Sequence, residues 1–272
     1  MDLARSRASA AAKSRLRARF GLWPLLELRN RVLGGPSALA WRLVERREVA
    51  RHRRALGPLP SALVATIIPT YLRPELLRAA VASALAQTVS DQIILVVDDG
   101  GGLPHDLPTD SRLVTISLSR NSHRLGLVRN VGIRLTRSTY IAFLDDDNEW
   151  YVNHLAVATE ALDAGADLVY TAVDRRRPDG SRMDTLSRHF DRRELGDRSA
   201  FVDANAVVVR RDDRVRFSVI RRTRKMLPKE DLEFVWRMSA RMRVRHIPVP
   251  TVSYLVNEAS YYTGWGDIGQ AT

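Results

Sequence analysis

The chain has 272 residues, 45% of them hydrophobic, with 43 Lys/Arg against 31 Asp/Glu and no cysteine. That size and apolar content exclude a disordered chain and suit one large α/β domain or two small ones. The absence of cysteine excludes disulfides and thiolate chemistry and fits a reducing compartment, and no apolar run reaches the ~18–20 residues that cross a bilayer.

The charge is uneven. Residues 1–60 hold 14 Lys/Arg against 4 Asp/Glu, so this stretch carries ten of the net +12 and the remainder is nearly balanced. The basicity therefore belongs to an appendage, and the body has the balance of a small-molecule enzyme. The N-terminus has no compact apolar run, which excludes a secretory signal; a basic helical arm is the favoured reading and an Arg/Ser/Ala-rich transit peptide the alternative. Within the arm, apolar spacing predicts a helix over 12–33, stopped by Gly34-Gly35-Pro36, and a second over 37–56 capped by Ser37 and ended by Gly57-Pro58. Leucine and tryptophan interleaved with arginine fit packing on the body with partial contact to an anionic membrane surface; nucleic acid ranks last.

From Leu63 the texture changes. LVATII (63–68), IILVV (93–97), RLVTISL (112–118), 140–144 and ADLVYTAV (166–173) read as strands. Helices are expected over 74–86, with proline in the first turn, and over 125–135 and 151–164. This order predicts an α/β fold, a mostly parallel sheet with helices on both faces. Beyond 175 the pattern loosens to a strand at 206–209, a helix over 229–241 and short strands within 244–255. The chain thus divides into an arm (1–60), a first half (61–175) and a second half (176–272).

Ligands of open α/β sheets bind at the carboxyl ends of the strands. Three expected strands end in polar residues unsuited to a core: Pro69-Thr70-Tyr71-Leu72-Arg73, Asp98-Asp99-Gly100-Gly101-Gly102 and Asp145-Asp146-Asp147. If parallel, the three tips face one cleft. Aspartates there hold nucleotide hydroxyls or a hard divalent cation through oxygen; in the bland alternative they only solvate turns and cap helices. Three in succession after a buried strand favour a ligand site.

VATIIPTYLRPELLRAAVASALAQT, IILVVDDGGG, GLVRNVGIRLTRSTYIAFLDDDNEW and KEDLEF occur in that order. Together they resemble the motifs of family 2 glycosyltransferases with the GT-A fold, over roughly two-thirds of the chain. The resemblance implies an inverting transferase that moves a sugar from a nucleotide-diphosphate sugar to an acceptor hydroxyl, with Mg²⁺ or Mn²⁺. It also implies that Thr70, Tyr71 and Arg73 line the nucleotide pocket, that Asp98 or Asp99 meets base or ribose, and that Arg129 lies near the diphosphate. The D-x-D element falls on Asp145 and Asp147 as metal ligands, with Asp146 near the ribose. Asp231 matches the general base, and Glu230 is a weaker candidate for acceptor contact. The family usually has serine where Gly101 stands, which predicts a looser loop. His246 is expected to be structural, with a part in the metal site as the alternative; His123 and Arg124 to be solvated loop, with contact to donor phosphate as the alternative; and Tyr261, Tyr262 and Trp265 to pack by default or to form a lid over acceptor.

The acceptor is open: lipid-linked, glycan or small molecule. The expected location is the cytoplasm, peripheral to the inner face of the membrane. Two other readings stay open. A sugar-phosphate nucleotidyltransferase would show a Gly-rich, Lys/Arg-bearing loop after the first strand, where this chain has IIPTYLRP. A basic membrane- or nucleic-acid-binding module with a degenerate transferase domain has no need of Asp98, Asp145, Asp147 and Asp231 together.

Overall fold

The computed structural model describes residues 14–15, 21–197, 202–222 and 228–256. The start of the expected first helix, apart from Ser14 and Arg15, lies outside them, as do Tyr261, Tyr262 and Trp265. Helix α1 covers Leu22–Leu56. There follow β1 (Ser61–Thr70), α2 (Pro74–Leu85), β2 (Gln92–Asp98), β3 (Leu113–Ser117), α3 (Leu125–Leu135) and β4 (Arg137–Phe143). Then come β5 (Asn148–Trp150), α4 (His154–Asp163), β6 (Leu168–Arg176), β7 (Arg182–Leu186) and α5 (Arg192–Asp197). A single 3₁₀ turn (Ala204–Ala206), β8 (Val207–Arg210), α6 (Glu230–Met238) and β9 (Val244–Leu255) complete the order.

One sheet runs β3-β2-β1-β4-β8-β6-β9-β5, with β7 also on β6. The first four strands are parallel, and the register sets Thr70 beside Asp98 and Asp98 beside Ser117. Their carboxyl ends therefore form one edge, as the sequence pattern predicted. β8 runs antiparallel between β4 and β6, while β6 and β9 are parallel. The segment expected as short strands is one strand, irregular near Pro248 and Pro250, where proline cannot donate to the ladder. β5 and β7 are too short and too polar to have been expected.

Helix α3 is buried over most of its length. Every residue from Gly126 to Ile133 is buried, between β1 and β2 inside and α1 outside. Gly132 permits this closeness, since a Cβ there would stand 2.7 Å from Ile67 Cγ2.

The arm corrects an expectation. Gly34-Gly35-Pro36 does not break the chain into two helices; α1 runs 35 residues straight through it. Proline inside a helix costs about 3 kcal/mol, through a lost hydrogen bond and a ring clash. Three local features and the body offset this. Gly35 has no Cβ to meet the proline ring, the clash that usually bars the preceding residue from helix. Ser37 Oγ donates to the Gly34 carbonyl at 3.0 Å. Gly34 admits Ile220, whose Cγ2 lies 2.9 Å from where a Cβ would be. On either side, Arg31 pairs with Glu233 and Glu45 with Asn130.

Candidate active site

A cavity of about 500 Å³ opens at the edge formed by the β1, β2 and β4 tips. Thr70, Tyr71, Arg73, Asp99, Asp145, Asp146 and Asp147 line it, so most residues singled out from the sequence do converge. Asp98, Arg129 and Asp231 stand behind this lining, each engaged with the residues that form it or shape its loops.

The β1 tip turns sharply. Leu72 takes φ of 54°, a left-handed conformation uncommon for a leucine. It rests with Tyr71 against Gly101, where a Cβ would come within 2.9 Å of Leu72 Cγ and 3.0 Å of Tyr71 Cδ2. A side chain at this position would require these two exposed residues to shift. Asp98 is fully buried, and its carboxylate accepts from Gly101 N at 3.0 Å and Gly102 N at 2.9 Å. Both its oxygens are committed to shaping the glycine loop. Asp99 faces the cavity while accepting from the backbone of Ser122 (2.8 Å) and His123 (3.2 Å). Of the two aspartates, only Asp99 faces the cavity. Its carboxyl is raised by burial, with those amides pulling the other way.

The three aspartates after β4 have distinct partners. Asp146 accepts from Thr70 Oγ1 at 2.7 Å and from Arg73 Nη1 at 3.1 Å. Asp147 accepts from the same Arg73 nitrogen at 3.0 Å and from Asn148 at 3.0 Å. Asp145 is held by its neighbours on the second half of the chain. Asn205 accepts from its amide at 2.6 Å and donates to its carboxylate at 3.2 Å. Arg129 Nη2 donates to its other oxygen at 2.5 Å. The Asp147 carboxyl is pushed up to about 6 by burial and then by the charge of Asp145, against the pull of Arg73.

Arg129 is wholly buried behind the cavity lining and spans two halves of the site: one amino group reaches Asp145, the other Asp231 at 2.7 Å. Burial alone would weaken its charge; those carboxylates more than restore it. Its guanidinium carbon also sits 4.8 Å from the centre of the Phe217 ring. Asp231 opens the first turn of α6, a position acids favour, and keeps about 27% of its side chain exposed. Its carboxyl is raised by desolvation and by Asp145, opposed by Arg129. Glu230 lines the cavity directly and is raised by burial and by Asp231.

Sequence reasoning missed three groups. Asn205 and Asp203 precede β8, and Asp203 accepts from Asn205 N at 2.8 Å and Nδ2 at 2.6 Å. Its carboxyl is driven up to about 7 by burial, then by Asp231 and Asp145. The polar D-x-N ahead of an apolar strand was the available signal. Arg222, the third, lines the cavity, yet its partner Glu27 lies 195 residues away on α1 at 2.8 Å, a pairing no local pattern reveals. Two more lining residues rest on α1: the Arg124 guanidinium lies 4.0 Å from the Trp41 ring centre, and Ile220 fills the space at Gly34. Arg124 and His123 both line the cavity, where His123 is exposed. His246 is outside the cavity lining and packs on Tyr170, their ring centres 4.9 Å apart.

The sequence profile of glycosyl transferase family 2 matches residues 65–232, more than half of the chain. This protein belongs to glycosyl transferase family 2. The matched stretch runs from within β1 into the first turn of α6, so it contains every residue assigned from the sequence to the nucleotide, the metal or the base, and leaves α1 outside. The succinoglycan biosynthesis protein ExoW of Rhizobium meliloti is 32% identical over 109 residues, 37% of this chain and 34% of that one. The putative colanic acid biosynthesis glycosyl transferase WcaA of Escherichia coli is 34% identical over 101 residues, 35% of this chain and 36% of that one. The matches thus span about a third of each of these relatives. The S. aureus TarS 1-349 structure in complex with UDP-GlcNAc shares the fold, with a TM-score of 0.56 at 17% identity, over 74% of this chain and 60% of that one. The family's α/β, GT-A-like architecture is therefore the one adopted here.

Proposed function

We propose that this glycosyltransferase moves a sugar from a nucleotide-diphosphate sugar to an acceptor hydroxyl with inversion, aided by a divalent cation. The observation that carries the reading is the Arg129 guanidinium, which fixes Asp145 on the donor side and Asp231 on the acceptor side within one ion-paired unit. Thr70, Tyr71, Arg73 and Asp99 form the nucleotide wall, with Asp146 toward the ribose. That a solved structure of similar fold is a UDP-GlcNAc complex supports a nucleotide-sugar donor.

The donor set suits a hard cation, since Asp145 and Asp147 offer only oxygen. Among the described residues no three or more His, Asp or Glu side chains form a metal cage. Mg²⁺ and Mn²⁺ sites of this kind draw on one or two carboxylates, with phosphate and water completing the shell. The bound cation would neutralise charge on the departing diphosphate. Arg73, about half exposed and paired with Asp147, competes for the same carboxylate.

Asp231 accepts the proton of the acceptor hydroxyl as its oxygen bonds to the anomeric carbon. The bond from that carbon to the phosphate oxygen breaks, and its electron pair leaves on the nucleoside diphosphate. A single displacement inverts the centre. Desolvation raises the Asp231 carboxyl, while Arg129 opposes that shift and aims the side chain.

Transfer assays with a panel of nucleotide sugars test the assignment. Asp231→Asn should lower kcat by roughly 10²–10⁴-fold with donor KM nearly unchanged, while Glu230→Gln alters chiefly acceptor KM. Normal kcat in Asp231→Asn with a dead Glu230→Gln would move the base by one position. Normal turnover in both would remove it from α6.

A further inference from the structure

Helix α1 has two faces of opposite character. Its three acids, Glu27, Glu45 and Glu48, are each only 5% exposed. They are turned onto the body, where they engage Arg222, Asn130 and Ser119. The outer face retains none of them. It carries Leu28, Val32, Leu39 and Leu43, exposed by 61%, 70%, 64% and 48%. At about 100° per residue, their spacing gathers them into a ridge about 60° wide. Arg42, Arg46, Arg47 and Arg54, all exposed, continue and flank that ridge.

We propose that this face of α1 docks on an anionic lipid surface, with the Leu/Val ridge entering the headgroup boundary and the flanking arginines meeting lipid phosphates. Charge complementarity selects this occupant. A second copy, docked by two-fold symmetry, would set a face of arginines without acids against its own image. Nucleic acid would satisfy the arginines through phosphates but leave four large apolar side chains without cover. A bilayer of acidic lipids satisfies both at once, and a helix lying in its interface needs only one apolar stripe. Among the described residues no helix is long and apolar enough to cross a membrane, so the contact is lateral.

Co-sedimentation of the full chain with vesicles provides the test. Phosphatidylcholine mixed with phosphatidylglycerol at about two to one should retain the protein, and phosphatidylcholine alone should not. Arg46→Gln with Arg47→Gln should weaken binding roughly 30-fold at low salt, from about fivefold for each interfacial charge. Leu39→Ser with Leu43→Ser should weaken it by about tenfold or more at any salt. Both variants face outward, so their thermal unfolding should match the parent and separates lost docking from lost folding. Parental vesicle binding by either well-folded pair overturns the proposal, even if the chain still binds lipid through other segments. So does a dimer that the Leu39→Ser/Leu43→Ser pair dissolves, or RNA binding that the arginine pair abolishes in a chain indifferent to vesicles.

Discussion

Arg129 donates to Asp145 and Asp231 from separate nitrogens and has no exposure to solvent. Replacement by lysine keeps the charge but offers a single point in place of a fork. Arg129→Lys should therefore fold, yet lose kcat by roughly 10²-fold, because one of the two acids is released from its position. Arg129→Met should cost about 3 kcal/mol in urea unfolding, the low end for a broken buried pair, since both acids retain some solvent. Asp203 gives a different signature. Its carboxyl rises from 3.8 to about 7 on folding, so the folded state holds a proton that the unfolded state releases. Stability from this group is complete below pH 3.8 and is lost as pH rises through about 7. Asp203→Asn can still accept from Asn205 and does not titrate. In chelator-containing buffer, the difference between the two urea midpoints should move in the variant's favour across that window and level off above it. A constant difference would mean that Asp203 is ionised throughout.

The elements that bear the site were largely legible. α3 spans the predicted Leu125–Leu135, and β1, β2 and β4 were marked by continuous apolar runs, because strands buried on both faces leave that trace. Which tips hold polar residues was equally plain, and so the aspartates were found. What stayed hidden depends on contacts between distant segments. Gly34-Gly35-Pro36 has the local chemistry of a stop, overruled by Ile220, Glu233 and Asn130. The commitment of Asp98 to two loop amides, and of Arg129 to two acids, are likewise facts of tertiary geometry. A consequence for α1 follows. Glu27 holds the buried Arg222 at the cavity wall and also pairs with Arg31. Glu27→Gln should weaken nucleoside diphosphate binding by about 5–20-fold, as one charge-assisted bond on a lining arginine is lost. Calorimetric titration reads this directly, and unchanged affinity would show that the body holds Arg222 unaided.

At the scale of the whole molecule, the family-matched stretch 65–232 is not self-sufficient. α1 covers the outer side of α3 and backs Arg124, Ile220 and Arg222 at the cavity. Excision of residues 1–60 should leave Asn130 and Arg134 without Glu45, and the truncated chain should be insoluble or bind a hydrophobic dye in place of nucleotide. A soluble, cooperatively unfolding remainder would contradict that. Because one rigid helix forms part of the cavity wall with one side and presents the outward ridge with the other, the two surfaces belong to a single thermodynamic cycle. Any contact outside that favours one seating of α1 changes donor affinity by some factor, and donor must then change the outside affinity by that same factor. Affinity for nucleotide, measured on the free chain, is in that case one corner of a square whose other corners are set by whatever the ridge is touching.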